Sequence, residues 1–344
     1  MGGRAIAGSI VSAGRVGDIG ERELVRAIRR LLGQPREHVI VGPGDDAAVL
    51  HTAERQAISV DRQREGVHFE RDWLDAAEIG ARAVTIAASD IWAMGAEPKW
   101  VVSALELPCD LSMTDFETLI AGLCAGARAA GAEIVGGDVG LGSGLSIVTT
   151  VGGEVPLELT PLRRTEARPG DELWVVGDLG WAAAGRQLLA QRERADSAEQ
   201  AACVDRFRRP ATPIAWCRWA ARHDAVHAMM DISDGLALDL HRLCEASGVG
   251  ADLDAAVLDR AVPEGVATGL GQSSRDLALG GGDDYSMLCA VAAGAMPQSP
   301  DLWDGVPVER IGVVTAATGV TLTDSVGSAP LAPCGWDPFD GAAS

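Results

Sequence analysis

Apolar residues recur at helical spacing in several stretches of the chain, and between them short extended runs end in glycine and aspartate. Leu24, Ile28, Leu31 and Leu32 share one face of a helix predicted over 20–33 and closed by Gly33. His38 to Val41 predicts a strand running into the turn Gly42-Pro43-Gly44-Asp45-Asp46, and Ala57 to Val60 a second strand that delivers Asp61 at its end. Ile79, Ala83, Ala87, Ile91 and Met94 mark a helix over 77–95, with Asp90 on its face or near a local break. Thr114 with Glu117 predicts a capping box for the next helix, whose stripe Phe116, Leu119, Ile120, Leu123 and Ala127 stops at Gly131. Glu133 to Val135 is a short strand with Gly136-Gly137-Asp138 as the turn after it, and Leu145, Ile147 and Val151 mark another strand.

The pattern breaks between Pro156 and Gly170, where Pro161, Arg163, Arg164 and Pro169 interrupt it, so a boundary is expected between a domain of residues 1–157 and one of 158–344. The second half opens on a strand over Glu172 to Val176, continues with helices near 182–191, 213–222 and 235–245, and closes with strands near 307–315 and 319–323. The charged stretch 192–209 is expected to be a mobile surface segment. Strands and helices mix without strict βαβ alternation, and no GxGxxG follows the first strand, which predicts an α+β fold.

Composition narrows the function. With 344 residues, 47% hydrophobic and 23% charged, the chain is long enough for two packed domains. A net charge of −20 without a basic run argues against nucleic acid and against anionic membranes as partners. No stretch approaches the ~20 apolar residues of a membrane span, and Met1-Gly2-Gly3-Arg4 opens no apolar signal core. The seven cysteines lack CxxC spacing and are expected as buried thiols in a reducing cytoplasm. Lys99, the sole lysine, stands outside any glycine-rich loop, which excludes a Walker-type P-loop.

Candidate chemistry lies in five acidic segments: Gly44-Asp45-Asp46, Val60-Asp61, Ser89-Asp90, Gly136-Gly137-Asp138 and Asp231-Ile232-Ser233-Asp234-Gly235. Taken singly, each is an ordinary turn or helix cap. Capping, however, explains neither the doubled acids nor an acid beside two glycines. Carboxylates that converge need divalent metal to stay ionised, and oxygen ligands of this kind suit Mg²⁺ beside a polyphosphate. His68 alone is no more than a surface or core histidine, the Arg163-Arg164 and Arg208-Arg209 pairs are either phosphate grips or solvated faces, and Trp336 is either a packing anchor or a plate for a heterocycle.

Taken in order, the motifs carry a resemblance. Gly42-Pro43-Gly44-Asp45-Asp46-Ala47-Ala48, Asp61 with Glu65-Gly66-Val67-His68-Phe69, Ser89-Asp90-Ile91-Trp92-Ala93-Met94-Gly95-Ala96-Glu97-Pro98, Gly136-Gly137-Asp138, Asp231-Ile232-Ser233-Asp234-Gly235-Leu236, Gly281-Gly282-Asp283-Asp284-Tyr285 and Gly335-Trp336-Asp337-Pro338-Phe339 span nearly the whole chain. The set resembles the thiamine-monophosphate kinases of the aminoimidazole-ribonucleotide synthetase-like superfamily. Related selenophosphate and aminoimidazole-ribonucleotide synthetases rely on an early lysine, which this chain lacks before Lys99, and the hydrogenase-maturation relatives end in a reactive cysteine.

The resemblance implies a two-domain α+β fold: an N-terminal mixed sheet that pairs into a dimeric barrel, and a C-terminal α/β sandwich. It implies a homodimer holding ATP and several Mg²⁺, and conversion of thiamine monophosphate to thiamine diphosphate by direct in-line transfer without a protein nucleophile. Asp45, Asp61, Asp90, Asp138, Asp231 and Asp234, with Ser59, match the metal site, and Asp234 is a candidate beside the transferred phosphoryl. Arg164, Ser233, Gly137 and Asp138 match ATP contacts; His68, Asp283 and Trp336 match contacts to thiamine monophosphate. Departures from the family pattern at Val60, Val139, Asp283 and Ser286 leave the acceptor open, and those at Asp283 and Ser286 are expected to alter the acceptor pocket more than the metal site. They keep open a paralogue acting on another small molecule, and beside it stands a non-catalytic nucleotide-binding dimer.

Overall fold

The computed structural model describes residues 14–34, 36–43, 46–192, 195–297 and 305–339. Along the first half run α1 (Glu21–Leu32), β1 (Val39–Val41), β2 (Val49–Leu50), β3 (Gln56–Arg64), α2 (Ala76–Ala93), β4 (Glu97–Pro108), α3 (Met113–Ala129), β5 (Glu133–Gly142) and β6 (Ser146–Glu154). Among the described residues β3, β6, β4 and β5 form a mixed sheet in that order, with β4 and β5 parallel across α3 and the other pairs antiparallel. The second half adds β7 (Glu172–Val176), α4 (Trp181–Ala190), α5 (Ala198–Arg208), α6 (Ile214–Ala220), β8 (Val226–Ile232), α7 (Leu236–Ser247), β9 (Gly250–Asp254), α8 (Ala255–Leu258), α9 (Glu264–Gly269), α10 (Ser274–Gly280), β10 (Ser286–Val291), β11 (Val308–Thr315), β12 (Gly319–Thr323) and β13 (Ser328–Pro330). Among the described residues its sheet has the order β13-β12-β9-β11-β7-β10-β8, antiparallel except where β9 meets β12.

Helix α2 positions everything else. Asp75 and Glu78 close a reciprocal capping box at its start, and its apolar surface is too wide for one partner. One side packs on β3 and β6, another on α3, and a third on β8, α5 and α6 of the second half. Ile91, Phe116 and Val151 therefore share one core with Phe207, Trp216, Met229 and Met287. A second core, around Ile232, Leu240 and Leu288, lies within the C-terminal half.

Several sequence expectations change in the folded chain. Strand β5 runs straight through Gly136-Gly137-Asp138, which is therefore not a turn. A Cβ on Gly137 would stand 2.1 Å from the Ser103 carbonyl oxygen, so the glycine serves close approach to β4. Asp61 sits mid-strand, because β6 pairs with β3 as far as Arg64. The cap of α3 is Ser112, whose Oγ accepts from the Asp115 backbone N–H at 3.0 Å, because Ser112 is the last extended residue and Thr114 already lies inside the helix. Residues 198–208 form α5 instead of a mobile segment: Cys203 and Phe207, four apart, are both fully buried within a charged sequence. Cys109 and Cys334 are exposed, unlike the other five cysteines, since neither falls on an apolar helix or strand face. Among the described residues no helix is long and apolar enough to cross a membrane.

Helices α2 and α3 touch through glycine. A Cβ at Gly122 would meet the Ala77 carbonyl oxygen at 2.2 Å, and one at Gly80 the Leu119 carbonyl oxygen at the same distance. Gly122→Val is expected to destabilise the protein by at least about 2 kcal/mol through overpacking, read as a lowered urea midpoint with unchanged slope.

Candidate active site

Three elements bring acids to the seam between the halves. Asp61 comes from β3, Asp90 from the last turns of α2, and Asp231 from β8. Ser59, two residues before Asp61 on the same face of β3, donates to Asp90, and Ser89 donates to Asp231. Ser59, Asp90 and Asp231 line a cavity of about 360 Å³ together with Arg164. No acid there is ionised cheaply. Burial lifts Asp61 to about 6, with Asp90 and Asp234 adding repulsion. Burial lifts Asp231 to about 7, with Asp90 again adding repulsion. Asp90 is raised by burial too, against the Ser59 hydrogen bond and the Arg164 charge.

A neighbouring cavity of about 430 Å³ is walled by Asp61, His68, Ser233, Asp234, Asp283 and Trp336, among others. Its floor is the loop after β8. There the Ser233 carbonyl accepts from Asp283 N–H and the Asp234 carbonyl from Trp336 N–H, each at 2.8 Å, so distant segments are fastened to one turn. Asp234 does not cap α7. The fully buried Asp239 takes that place, accepting from the N–H groups of Ser233 and Asp234 at 3.0 Å, while Arg242 bridges Asp234 at 2.6 Å and Asp239 at 2.8 Å. Trp336 is 39% exposed and stands edge-on to His68, with ring centroids 6.4 Å apart, which makes it a cavity wall. Burial pushes the His68 pKa below the usual histidine value.

Sequence reasoning missed Arg82. Its guanidinium is fully buried on α2 and donates to Asp283 at 2.5 Å, to the Phe207 carbonyl at 2.5 Å and to Gln63 at 3.1 Å, and it lies 4.6 Å from the Phe207 ring centroid. Asp283 and Tyr285 both adopt positive φ, 64° and 52°, a conformation that side-chain residues keep only where surroundings enforce it. Arg82 supplies part of that enforcement. A charged residue amid Ala81, Ala83 and Val84 was the available signal, since long cations are rarely fully buried unless paired. Asp239 and Arg242 carried no comparable mark.

The expected acids do not all converge. Gly137 and Asp138 line a separate cavity of about 630 Å³ with Gly42, Pro43 and Asp46. The reason is sheet order. Asp61 registers with Thr149, Thr149 with Ser103 and Ser103 with Gly137, so three strand spacings of ~4.8 Å, about 14 Å in all, separate the two acidic strands. Asp45 lies outside the described residues. Among the described residues no three His, Cys, Asp or Glu side chains form a ready-made metal cluster. The donors at the seam are nonetheless all oxygen and mutually repelling, a set that fits Mg²⁺, which keeps several waters and takes one or two carboxylates per ion.

Three of the four departures from the family pattern lie outside the cavity walled by His68 and Trp336. Val60 is 62% exposed on the face of β3 opposite Ser59 and Asp61. Ser286 is buried and donates to the Asp178 carbonyl at 2.8 Å. Only Asp283 of these departures lines the cavity beside His68, while Val139 lines the one with Asp138.

The AIR synthase related protein, N-terminal domain, matches residues 44–155, and the AIR synthase related protein, C-terminal domain, matches residues 168–325. A thiamine-monophosphate kinase of Mycobacterium tuberculosis (strain ATCC 25618 / H37Rv) is 34% identical over 282 residues, covering 81% of this chain and 82% of the relative. The crystal structure of thiamine-monophosphate kinase from Stenotrophomonas maltophilia K279a superposes with a TM-score of 0.77 at 32% identity, covering 88% of this chain and 96% of that one. AaThiL complexed with AMPPCP and TMP gives a TM-score of 0.72 at 28% identity, over 94% of this chain and 99% of that one.

Acids with raised pKa values make the metal-free protein sensitive to pH. Their contribution to stability is complete below the unfolded value of 3.8 and is lost as pH rises through about 6 for Asp61 and about 7 for Asp231. The melting temperature without divalent metal is expected to fall between about pH 4 and pH 7 and to level off above that. In the Asp61→Asn, Asp231→Asn double variant most of that fall should disappear, as read by calorimetry across the same range.

Proposed function

The chain belongs to the AIR synthase related family and, within it, to the thiamine-monophosphate kinases, and on that premise we propose that it transfers the γ-phosphoryl group of ATP to thiamine monophosphate. The products are thiamine diphosphate and ADP. The observation that carries this reading is that Asp90 and Asp231 line one cavity at the seam while Asp61, near enough to feel the charge of Asp90, lines the neighbouring cavity walled by Trp336 and His68. AaThiL, which this chain matches over nearly its full length, is complexed with the ATP analogue AMPPCP and with TMP.

The chemistry needs no protein nucleophile. An oxygen of the acceptor phosphate is already anionic, so it attacks the γ-phosphorus in line, and the bond from that phosphorus to the oxygen bridging to the β-phosphate breaks. What opposes reaction is repulsion between two polyanions, and the remedy is charge neutralisation and fixed geometry. Ser59, Asp61, Asp90, Asp231 and Asp234 would hold Mg²⁺ at the seam, with Asp138 holding it on the β5 side and Asp45 as a further ligand. Bound there, Mg²⁺ supplies positive charge to both phosphate groups. Arg164 beside Asp90 and Asp231 meets nucleotide phosphate, and Gly137 lets backbone pass close to it. Asp239 and Arg242 hold the Ser233–Asp234 turn in place, Ser233 meets the nucleotide, and His68, Asp283 and Trp336 face the acceptor. In this division residues 1–157 carry most of the metal site and residues 158–344 complete it.

A second copy of the chain covers the open face of the first sheet. Ile58 and Val60 on β3 are 65% and 62% exposed and share the face of the sheet turned away from Ser59 and Asp61, an apolar pair that a facing copy of the chain would cover. Pairing of two such faces gives the homodimer.

Purified protein with ATP, Mg²⁺ and thiamine monophosphate should form thiamine diphosphate, detected by chromatography. Asp90→Asn should slow that step at least ~100-fold with circular dichroism unchanged. Absence of product from the native protein over hours would overturn the assignment of the acceptor. Val60→Asp is expected to shift the sedimenting species from dimer towards monomer, and an unchanged dimer would reject this face as the interface.

A further inference from the structure

Among the described residues that line the acceptor cavity, one half-buried cation has no counterpart. Arg186 projects from the middle of α4 into the wall shared with His68, Asp283 and Trp336. Its Nε is shielded from solvent and has no hydrogen-bond partner. A desolvated guanidinium N–H without an acceptor is costly, and a side chain as mobile as arginine ordinarily escapes that cost by turning outward. Here it stays against the cavity.

Of the acids that line this cavity, Asp61 is assigned to Mg²⁺ above, and the other two are already paired. Asp283 is taken by Arg82, and Asp234 by Arg242, which is itself shared with Asp239. Arg62 lines the same cavity but is exposed, so its guanidinium is not desolvated. Arg186 also cannot drift with its helix. Asp284 accepts from the Gly180 N–H at 2.9 Å and so ties the start of α4 to the Asp283 segment. A Cβ on Gly185 would meet the Cys203 carbonyl oxygen at 2.1 Å, which shows how tightly α4 lies on α5. An unmatched guanidinium on a fixed helix, opposite an aromatic wall, describes a receptor for an anion attached to a flat ring.

Resting on the reading of this cavity as the acceptor site, we propose that Arg186 binds the phosphate of the incoming acceptor and makes the site select a phosphorylated heteroaromatic over its unphosphorylated parent. The ring lies against Trp336, and Arg186 meets the phosphate oxygens through charge-assisted hydrogen bonds. Such bonds form only with the phosphorylated partner, so Arg186 contributes to discrimination and not to binding of the ring.

The test is calorimetric binding, with Mg²⁺ and without nucleotide, of matched pairs: thiamine monophosphate against thiamine, and pyridoxine phosphate against pyridoxine. The native protein should prefer the phosphorylated member of the pair it accepts by about tenfold to a hundredfold. Arg186→Gln should bring that ratio to within about threefold while leaving affinity for the unphosphorylated parent and the melting temperature unchanged, and Arg186→Lys should restore part of it. Retention of the native ratio in Arg186→Gln overturns the inference, as does a native protein that prefers neither pair's phosphate. Failure of the thiamine reading looks different: the preference and its dependence on Arg186 then attach to the pyridoxine pair, and no thiamine diphosphate forms.

Discussion

Asp61, Asp90 and Asp231 stand close enough that each raises the cost of ionising the next, and the fold holds them there regardless. A protein selected only for stability would not gather carboxylates at the seam between two sheets, because every one of them is desolvated without a cation of its own. The hydroxyls of Ser59 and Ser89 offset part of that cost, each donating to one acid. Arg164 offsets another part. What is left over is a standing affinity for positive charge, and that residue of unfavourable energy is what phosphoryl transfer between two anions uses.

Helix α2 is the element that makes this arrangement rigid. Its close glycine contacts with α3 fix it on the first sheet, and its opposite side is buried against β8 and α5 of the second half. Ser89, Asp90 and Arg82 all leave the same helix, so Asp90, Asp231 and Asp283 are referenced to one rigid body. The positive φ at Asp283 and Tyr285 persists because Arg82 bonds Asp283 and because backbone bonds from 283 and 285 reach back to 233 and 232. Strain at the acceptor wall is thus balanced by hydrogen bonds made across the seam. The two cavities follow from the same geometry: one is lined by Ser59, Asp90 and Asp231, the other by Asp61 with an aromatic wall and an unmatched arginine.

The local patterns that the sequence displays openly are those with many residues voting the same way. The period of Ile79, Ala83, Ala87 and Ile91 foretells α2, and Leu24, Ile28 and Leu31 foretell α1, because burial of one face repeats every three to four residues. Patterns with few votes fail. Two buried residues, Cys203 and Phe207, were too few to betray α5 within a charged stretch. Gly136-Gly137 has the composition of a turn, yet a neighbouring strand supplied hydrogen bonds and required the absence of side chains.

For the site, the chain by itself determined which chemical groups are available: aspartates beside small residues, one histidine and one tryptophan in recognisable company, no lysine suited to a phosphate loop. The ordered motifs identify the family because they record that inventory. Tertiary structure alone decided which acids are neighbours, since sheet order separates Asp138 from Asp61 by two intervening strands although their motifs look equivalent. It alone decided that Asp239 and not Asp234 serves the start of α7, that Arg82 is spent on Asp283, and that Arg186 is left unmatched. The physical reason is that charge pairing and desolvation depend on distances between residues remote in the chain, and no local periodicity encodes those distances.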